Sequence, residues 1–320
     1  MQEEQSYLYQ VLGGEAVLYR VYGAVSSVWI PERIGEYPVT AVGAYCFSDR
    51  NRVPEDVLVY PDVPEHLCDS RWSDRRELAG DYMERVVLPD SLRRIDNAAF
   101  FGCRKLAAIE MGSGPLTIGS DVFNNCSRLQ SIRVRDSVTE PSGIRHIVSR
   151  ISWEVEVEFS DAFLLYPEYY ERYDTIAPAH IFGLNIEGEG FRARQCFRGD
   201  MIDFAAYDAI FGKACAEESV TTLGRMSLDR LMTPVSLSES SRLAYEAFVK
   251  AHAGEILCDC VKKKERERME WLCCGLYADS QAVDAAIARA VQAGWSGGAA
   301  SLLERKHQFC AKKKENRYEF

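Results

Sequence analysis

A 23-residue repeat constrains this chain more than any other feature. Ile95 opens the run I-D-N-A-A-F-F-G-C-R-K-L-A-A-I-E-M, and Ile118 opens I-G-S-D-V-F-N-N-C-S-R-L-Q-S-I-R-V. Six apolar pairs recur at that interval: Ile95/Ile118, Phe100/Phe123, Cys103/Cys126, Leu106/Leu129, Ile109/Ile132 and Met111/Val134. The residues between them are mostly polar or small. Such a period predicts one structural coil laid on another, with like side chains stacked in columns.

Flanking segments extend the pattern. Val86-Val87-Leu88-Pro89 supplies the strand and proline of the preceding unit. An earlier copy reads Val28-Trp29-Ile30-Pro31, followed by Pro38-Val39-Thr40-Ala41-Val42-Gly43-Ala44-Tyr45-Cys46-Phe47. That copy departs at Arg50, which stands where the cysteine should recur, and residues 50–81 intervene before the next unit. Together these residues resemble the BspA-like leucine-rich repeats, whose units read roughly I-G-x-x-A-F-x-x-C-x-x-L-x-x-I-x-I-P. The resemblance covers the N-terminal two-fifths of the chain and implies a short β-solenoid. Many proteins with such repeats are surface adhesins. Met1-Gln2-Glu3-Glu4-Gln5 lacks a basic-then-apolar export pattern, so that role is not carried over.

Charge and cysteine usage narrow the class. A formal charge of −10 disfavours nucleic acid and anionic membranes as general partners, since both need clustered Lys and Arg. No stretch approaches the roughly 18 apolar residues of a membrane span. The eleven cysteines are an odd number and include adjacent Cys273-Cys274, which fits free thiols in a reducing cytoplasm.

Taken in order, residues 7–12 and 15–22 flank Gly13-Gly14 and predict a hairpin capping the solenoid. Residues 50–81, with Pro54, Pro61, Pro64, His66, Cys68 and Trp72, read as an irregular excursion. After Val134 the period is lost, and Arg135–Ser149 reads as a linker or a decayed coil. Ile151–Phe159 alternates like a half-buried strand, with Glu154, Glu156 and Glu158 on its wet face. Tyr166-Pro-Glu-Tyr-Tyr-Glu-Arg-Tyr173 reads as packing between modules. Residues 180–187 and 191–197 around Gly188-Glu-Gly190 predict a second hairpin. From Met201 the period changes toward 3.6. Helices are expected around Phe204–Phe211 and Leu223–Met232, then one capped by Ser238, then 254–263, 264–274, 281–293 and 297–310. Val283–Gly294 and Ala299–Lys306 are similar to the paired helices of ankyrin repeats but lack their Thr-Pro-Leu-His turn. The order of these parts resembles a group of clostridial-type proteins.

The fold class is therefore α+β: a short leucine-rich-repeat solenoid, a small antiparallel β segment and a C-terminal helical stack. The expected domains are 1–135, 136–200 and 201–320.

No residue pattern points to a reaction. Cys258, Cys260, Cys273 and Cys274 lie in helical segments where neighbouring sulfurs diverge, so no metal is expected. His66, His146, His180, His252 and His307 form no catalytic spacing, and no phosphate-cradling glycine loop is present. The basic runs at 262–268 and 312–314 read as solvated helix faces. No catalytic residue and no cofactor is expected. The expected function is a non-catalytic cytoplasmic scaffold binding protein partners. The alternative is an enzyme or regulator with a site between the β module and the helical region, using Cys196 or His180. Strand alternation turns Arg85, Val87, Ala108, Glu110, Ser131 and Arg133 outward, making them the candidate binding face.

Overall fold

In the computed structural model the described residues are 5–50, 52–60, 76–176, 181–275 and 277–315; of 173–176, 181–184 and 308–315 only the backbone is described. His66, Cys68, Trp72 and His180 thus lie outside them. The chain divides into two compact units, residues 1–203 and 204–320.

The first unit opens with the hairpin of β1 (Ser6–Leu12) and β2 (Glu15–Gly23), which turns on Gly13-Gly14, both at positive φ. There follow β3 (Ser27–Trp29), β4 (Arg33–Ile34), β5 (Tyr37–Val42), β6 (Leu58–Tyr60) and β7 (Arg76–Glu77). The repeats proper supply β8 (Arg85–Val87), β9 (Arg94–Ile95), β10 (Ala108–Met111), β11 (Thr117–Ile118) and β12 (Ser131–Val134). A short helix, α1 (Ile144–Val148), precedes β13 (Val155–Glu158) and β14 (Phe163–Tyr166). One sheet runs in the order β14-β13-β12-β10-β8-β3, the other β11-β9-β5-β2-β1-β6. Three coils contribute one strand to each sheet (β3 and β5, β8 and β9, β10 and β11), and after β12 the helix α1 stands where the second strand would be, which together make a β-solenoid.

The 23-residue interval sets the register. Ile109 lies beside Ile132 on one side and Val86 on the other, and Val86 lies beside Val28. All four are buried. Phe47, Phe100 and Phe123 stack in a column, with ring centroids 4.9 and 5.5 Å apart and planes within about 17°. Beside them, the Cys103 thiol donates to the Phe47 carbonyl (3.1 Å) and the Cys126 thiol to the Phe100 carbonyl (3.0 Å). Hydrogen bonding with Cys126 and burial hold the Cys103 thiol well above the ordinary thiol range. At each corner the same position, Tyr45, Ala98 and Asp121, takes positive φ, so the left-handed bend is part of the repeat.

The stack continues beyond Val134. Ile132 pairs in parallel with Val157, an interval of 25 residues, so β13 belongs to a further, slightly longer coil. At the opposite end, β3 is finished by side chains. The Gln5 amide donates to the Ser27 carbonyl (2.7 Å) and accepts from the Trp29 N–H (3.0 Å), and the Tyr7 hydroxyl donates to the Trp29 carbonyl (2.8 Å).

The expected hairpin of 180–187 with 191–197 does not form. β15 (Tyr170–Ile176) pairs with β16 (Ile181–Glu187), and residues 190–193 are a helical turn, α2 (Gly190–Ala193). A Cβ on Gly190 would stand 2.1 Å from the Pro167 carbonyl oxygen, so this close approach requires glycine, and β16 already has β15 as its partner. That turn places Arg194, whose buried guanidinium donates to the carbonyls of Val148, Pro167, Gly190 and Trp153 and lies over the Tyr169 ring. Tyr166 and Tyr169 are buried around it. β17 (Phe197–Arg198) and β18 (Met201–Ile202) close the unit.

The second unit is helical: α3 (Phe204–Ala209), α4 (Phe211–Glu217), α5 (Val220–Met232), α6 (Glu239–Lys263), α7 (Arg266–Cys274), α8 (Ser280–Gln292) and α9 (Ser296–Glu315). Ser219, Ser238 and Asp279 cap α5, α6 and α8 through their side chains. The expected separate helix at 254–263 is the second half of α6, which continues through non-helical angles at His252. Leu228, Val249, Ile256, Leu257, Met269, Leu272, Val283 and Leu302 form the shared core. Gly224 lets α5 approach α6, because a Cβ there would meet Ile256 at 2.6 Å.

Candidate functional site

Strand pairing sets the six candidate residues in two rows across β8, β10 and β12. Arg85, Ala108 and Ser131 are neighbours in one row, and Val87, Glu110 and Arg133 in the other. Adjacent strands extend the first row to Ser27 and Glu156, and the second to Trp29 and Glu158. The alternate residues Val86, Ile109 and Ile132 fill the core.

Arg85, Ser131 and Arg133 are exposed, Ala108 and Glu110 are half-buried, and Val87 is buried. Val87 therefore adds little accessible surface, although it sits in the outward row. Trp29, beside it, is 45% exposed. The charges are laced across the strands, one pair directly opposite and the others diagonal. Arg85 meets Glu110 at 2.6 Å, Arg133 meets Glu158 at 3.0 Å, and Arg135 reaches both Asp90 and Glu110. These ion pairs are solvent-facing and contribute little to stability, on the order of 0–1 kcal/mol each. Their chemical capacity is to offer a partner alternating charge on a flat, regular spacing.

Residues 77–142 match the BspA type leucine rich repeat region, in 6 copies. No curated protein and no solved structure gives a significant match to the chain. The BspA-type segment holds β8 to β12, and so holds all six candidate residues. Repeat solenoids of this kind are suited to protein interaction, because they expose a long regular face.

Elsewhere, candidate chemistry is dispersed. Cys260 and Cys273 are buried in the helical core, Cys258 is half-buried and Cys274 is exposed. Among the described residues no group of three or more His, Cys, Asp or Glu is placed to hold a metal. No helix among them is long and apolar enough to cross a membrane. Cys196 is buried, and its thiol donates to the Arg192 carbonyl at 3.3 Å. His146 lies 3.8 Å from Asp200, and the His252 ring lies 4.5 Å from that of Phe248, tilted by 32°.

Four buried guanidinium groups among the described residues were not read from the sequence; one of them, Arg268, pairs with the buried Asp229 at 2.7 Å. Arg20 donates to the carbonyls of Tyr45, Cys46, Ser48 and Arg50 and pairs with Glu77 at 2.8 Å. Arg194 holds the turn described above. Arg230 grips Asp208 with two bonds (2.7 and 2.9 Å), while the Tyr245 hydroxyl donates to the same carboxylate at 2.9 Å. Burial, reinforced by Asp208, pushes the Tyr245 hydroxyl far above its ordinary range. The available signal was an arginine inside an apolar stripe, as at Leu228-Asp229-Arg230-Leu231.

Proposed function

We propose that this protein is a non-catalytic interaction or scaffold protein that docks a protein partner on the outward face of the β8–β10–β12 sheet. The observation that carries this reading is the pair of straight rows, with Arg85 and Arg133 charged and exposed and Glu110 half-buried between them on a stacked scaffold. The BspA-type match over the same strands supports it. A reducing, cytoplasmic setting belongs to the same proposal. Its support is the pair of thiols at Cys103 and Cys126, which serve as hydrogen-bond donors that a disulfide would forfeit. The ankyrin-like character of the helical stack and a bacterial, clostridial-type source are likewise proposed, on the sequence pattern alone.

The test is affinity capture from the source cell, followed by measured binding of the recovered partner to wild type and to the R85E/R133E variant. Slower association and an altered salt dependence, with an unchanged melting curve, support the face. Binding untouched by R85E/R133E but lost on deletion of residues 204–320 would assign recognition to the helical unit and leave the sheet as scaffold.

A further inference from the structure

The second unit holds a groove of about 900 Å³ along α6 and α8. Its walls include the small residues Gly254, Ala282 and Ala285 and the half-buried Cys258. The two helices approach closely, since a Cβ on Gly254 would lie only 3.6 Å from that of Ala282. On α6 the lining runs from Lys250 to Lys262, across the irregular turn at His252, and Thr221 of α5 joins it.

Its charges are not balanced in use. Two acidic residues on the lining are engaged, Asp259 with Lys263 at 2.8 Å and Asp279 capping the Ala282 N–H at 2.7 Å, while Glu255 lies 3.7 Å from His252 and faces solvent. Lys262 and Arg289, both exposed on the lining, make no ion pair among the described residues. Lys250 is only loosely held, 3.8 Å from Glu246 and 5.8 Å from the Tyr277 ring centre. The helical unit itself carries no net negative charge. Residues 204–320 carry 17 Lys and Arg against 16 Asp and Glu, so the chain's net negative charge resides in residues 1–203.

We propose that this groove binds an acidic peptide segment of a partner protein, with Lys262 and Arg289 receiving its carboxylates and the small-residue walls admitting its backbone. A small anion is a poor fit, because its sites need convergent buried donors and these two cations are exposed along an open channel. A nucleic-acid backbone is disfavoured because two unpaired cations, Lys262 and Arg289, are too few for the several phosphate contacts such a polymer needs. The site is distinct from the sheet face, so it stands or falls independently of the function proposed above.

The experiment is selection of a displayed random 16-residue peptide library against the full chain, followed by fluorescence anisotropy with the enriched peptides. The expected result is enrichment of Glu- and Asp-rich sequences whose affinity falls roughly tenfold or more in K262E/R289E and with rising salt, but not in R85E/R133E. The same peptides carrying a chloroacetyl group should alkylate Cys258 before any other thiol. Enriched peptides without acidic residues, no enrichment over a target-free selection, or affinity unchanged in K262E/R289E would each overturn the proposal. So would tighter binding of a single-stranded oligonucleotide at the same residues. Unchanged melting of K262E/R289E separates lost binding from lost fold.

Discussion

The thiol of Cys126 donates to the main-chain carbonyl of Phe100, 3.0 Å away in the preceding coil. Cys103 does the same to Phe47. Cysteine recurs in this repeat because a small, weakly polar side chain can fill the core and still satisfy a buried carbonyl. The phenylalanine column and the cysteine ladder are thus one device, in which each coil supplies the acceptor for the next.

Removing a ring from that column should be severe. Phe100→Ala and Phe123→Ala are each expected to cost about 3–5 kcal/mol. Phe100 should be the worse, because it is stacked on both sides while Phe123 has one described ring neighbour in the column. Urea denaturation monitored by tryptophan fluorescence checks the order. Unchanged midpoints would mean that the coil register is wrong.

Thiol reactivity should follow burial. With a thiol-reactive chromophore at neutral pH, Cys215 and Cys274, the exposed thiols among those described, should react first. Cys46, Cys103 and Cys126 should stay protected until the chain unfolds. All eleven should titrate in denaturant without reductant, and elemental analysis should find no zinc. A native disulfide, or one tightly held zinc per chain, would refute this.

The Asp208–Arg230–Tyr245 cluster should respond as a unit. Arg230→Met leaves a buried carboxylate without its cation and should cost about 3–5 kcal/mol. Adding Asp208→Leu should recover part of that loss, so the double variant should be less damaged than the sum of the two singles. Strict additivity in this double-mutant cycle would show that the pair is not coupled.

Alkaline pH should weaken the helical unit. Burial pushes the Cys260 thiol up to about 12 and the Cys273 thiol up to about 11, from an ordinary value of 9.0. Above pH 9 the unfolded chain gives up these protons while the folded chain keeps them. The stabilising contribution is therefore complete below about pH 9 and is lost between there and the raised values. Denaturant midpoints at pH 8 and pH 10.5 should diverge less in Cys260→Ala/Cys273→Ala than in wild type, after allowing for the core volume removed. An equal divergence in both proteins would count against these thiols as the cause.

The solenoid was legible because its columns are written in identical side chains at one interval: Phe100 above Phe123, Cys103 above Cys126. The further coil at β13 was not, since lengthening the interval to 25 residues moves Val157 out of phase with Ile132. The partners of β15 and β16 were misread because Gly188-Glu-Gly190 looks like a hairpin turn, while the close approach of Pro167 to Gly190 exists only in three dimensions. The outward rows could be drawn from alternation alone, but not the ion pairs lacing them, nor the burial of Val87. The α6–α8 groove had no sequence signature, because its residues are gathered from separate segments whose closeness depends on packing.

One end of the parallel sheet carries a consequence for how molecules meet. At Ser27 and Trp29 the backbone groups that would otherwise recruit another strand are answered by Gln5 and Tyr7. Two side chains impersonate a missing coil. Were they lost, the terminus of the stack would become a template on which a second molecule could add its own strand, and then a third. Gln5 and Tyr7 therefore act as a stop signal on this edge, answering its last row of hydrogen bonds before another strand can.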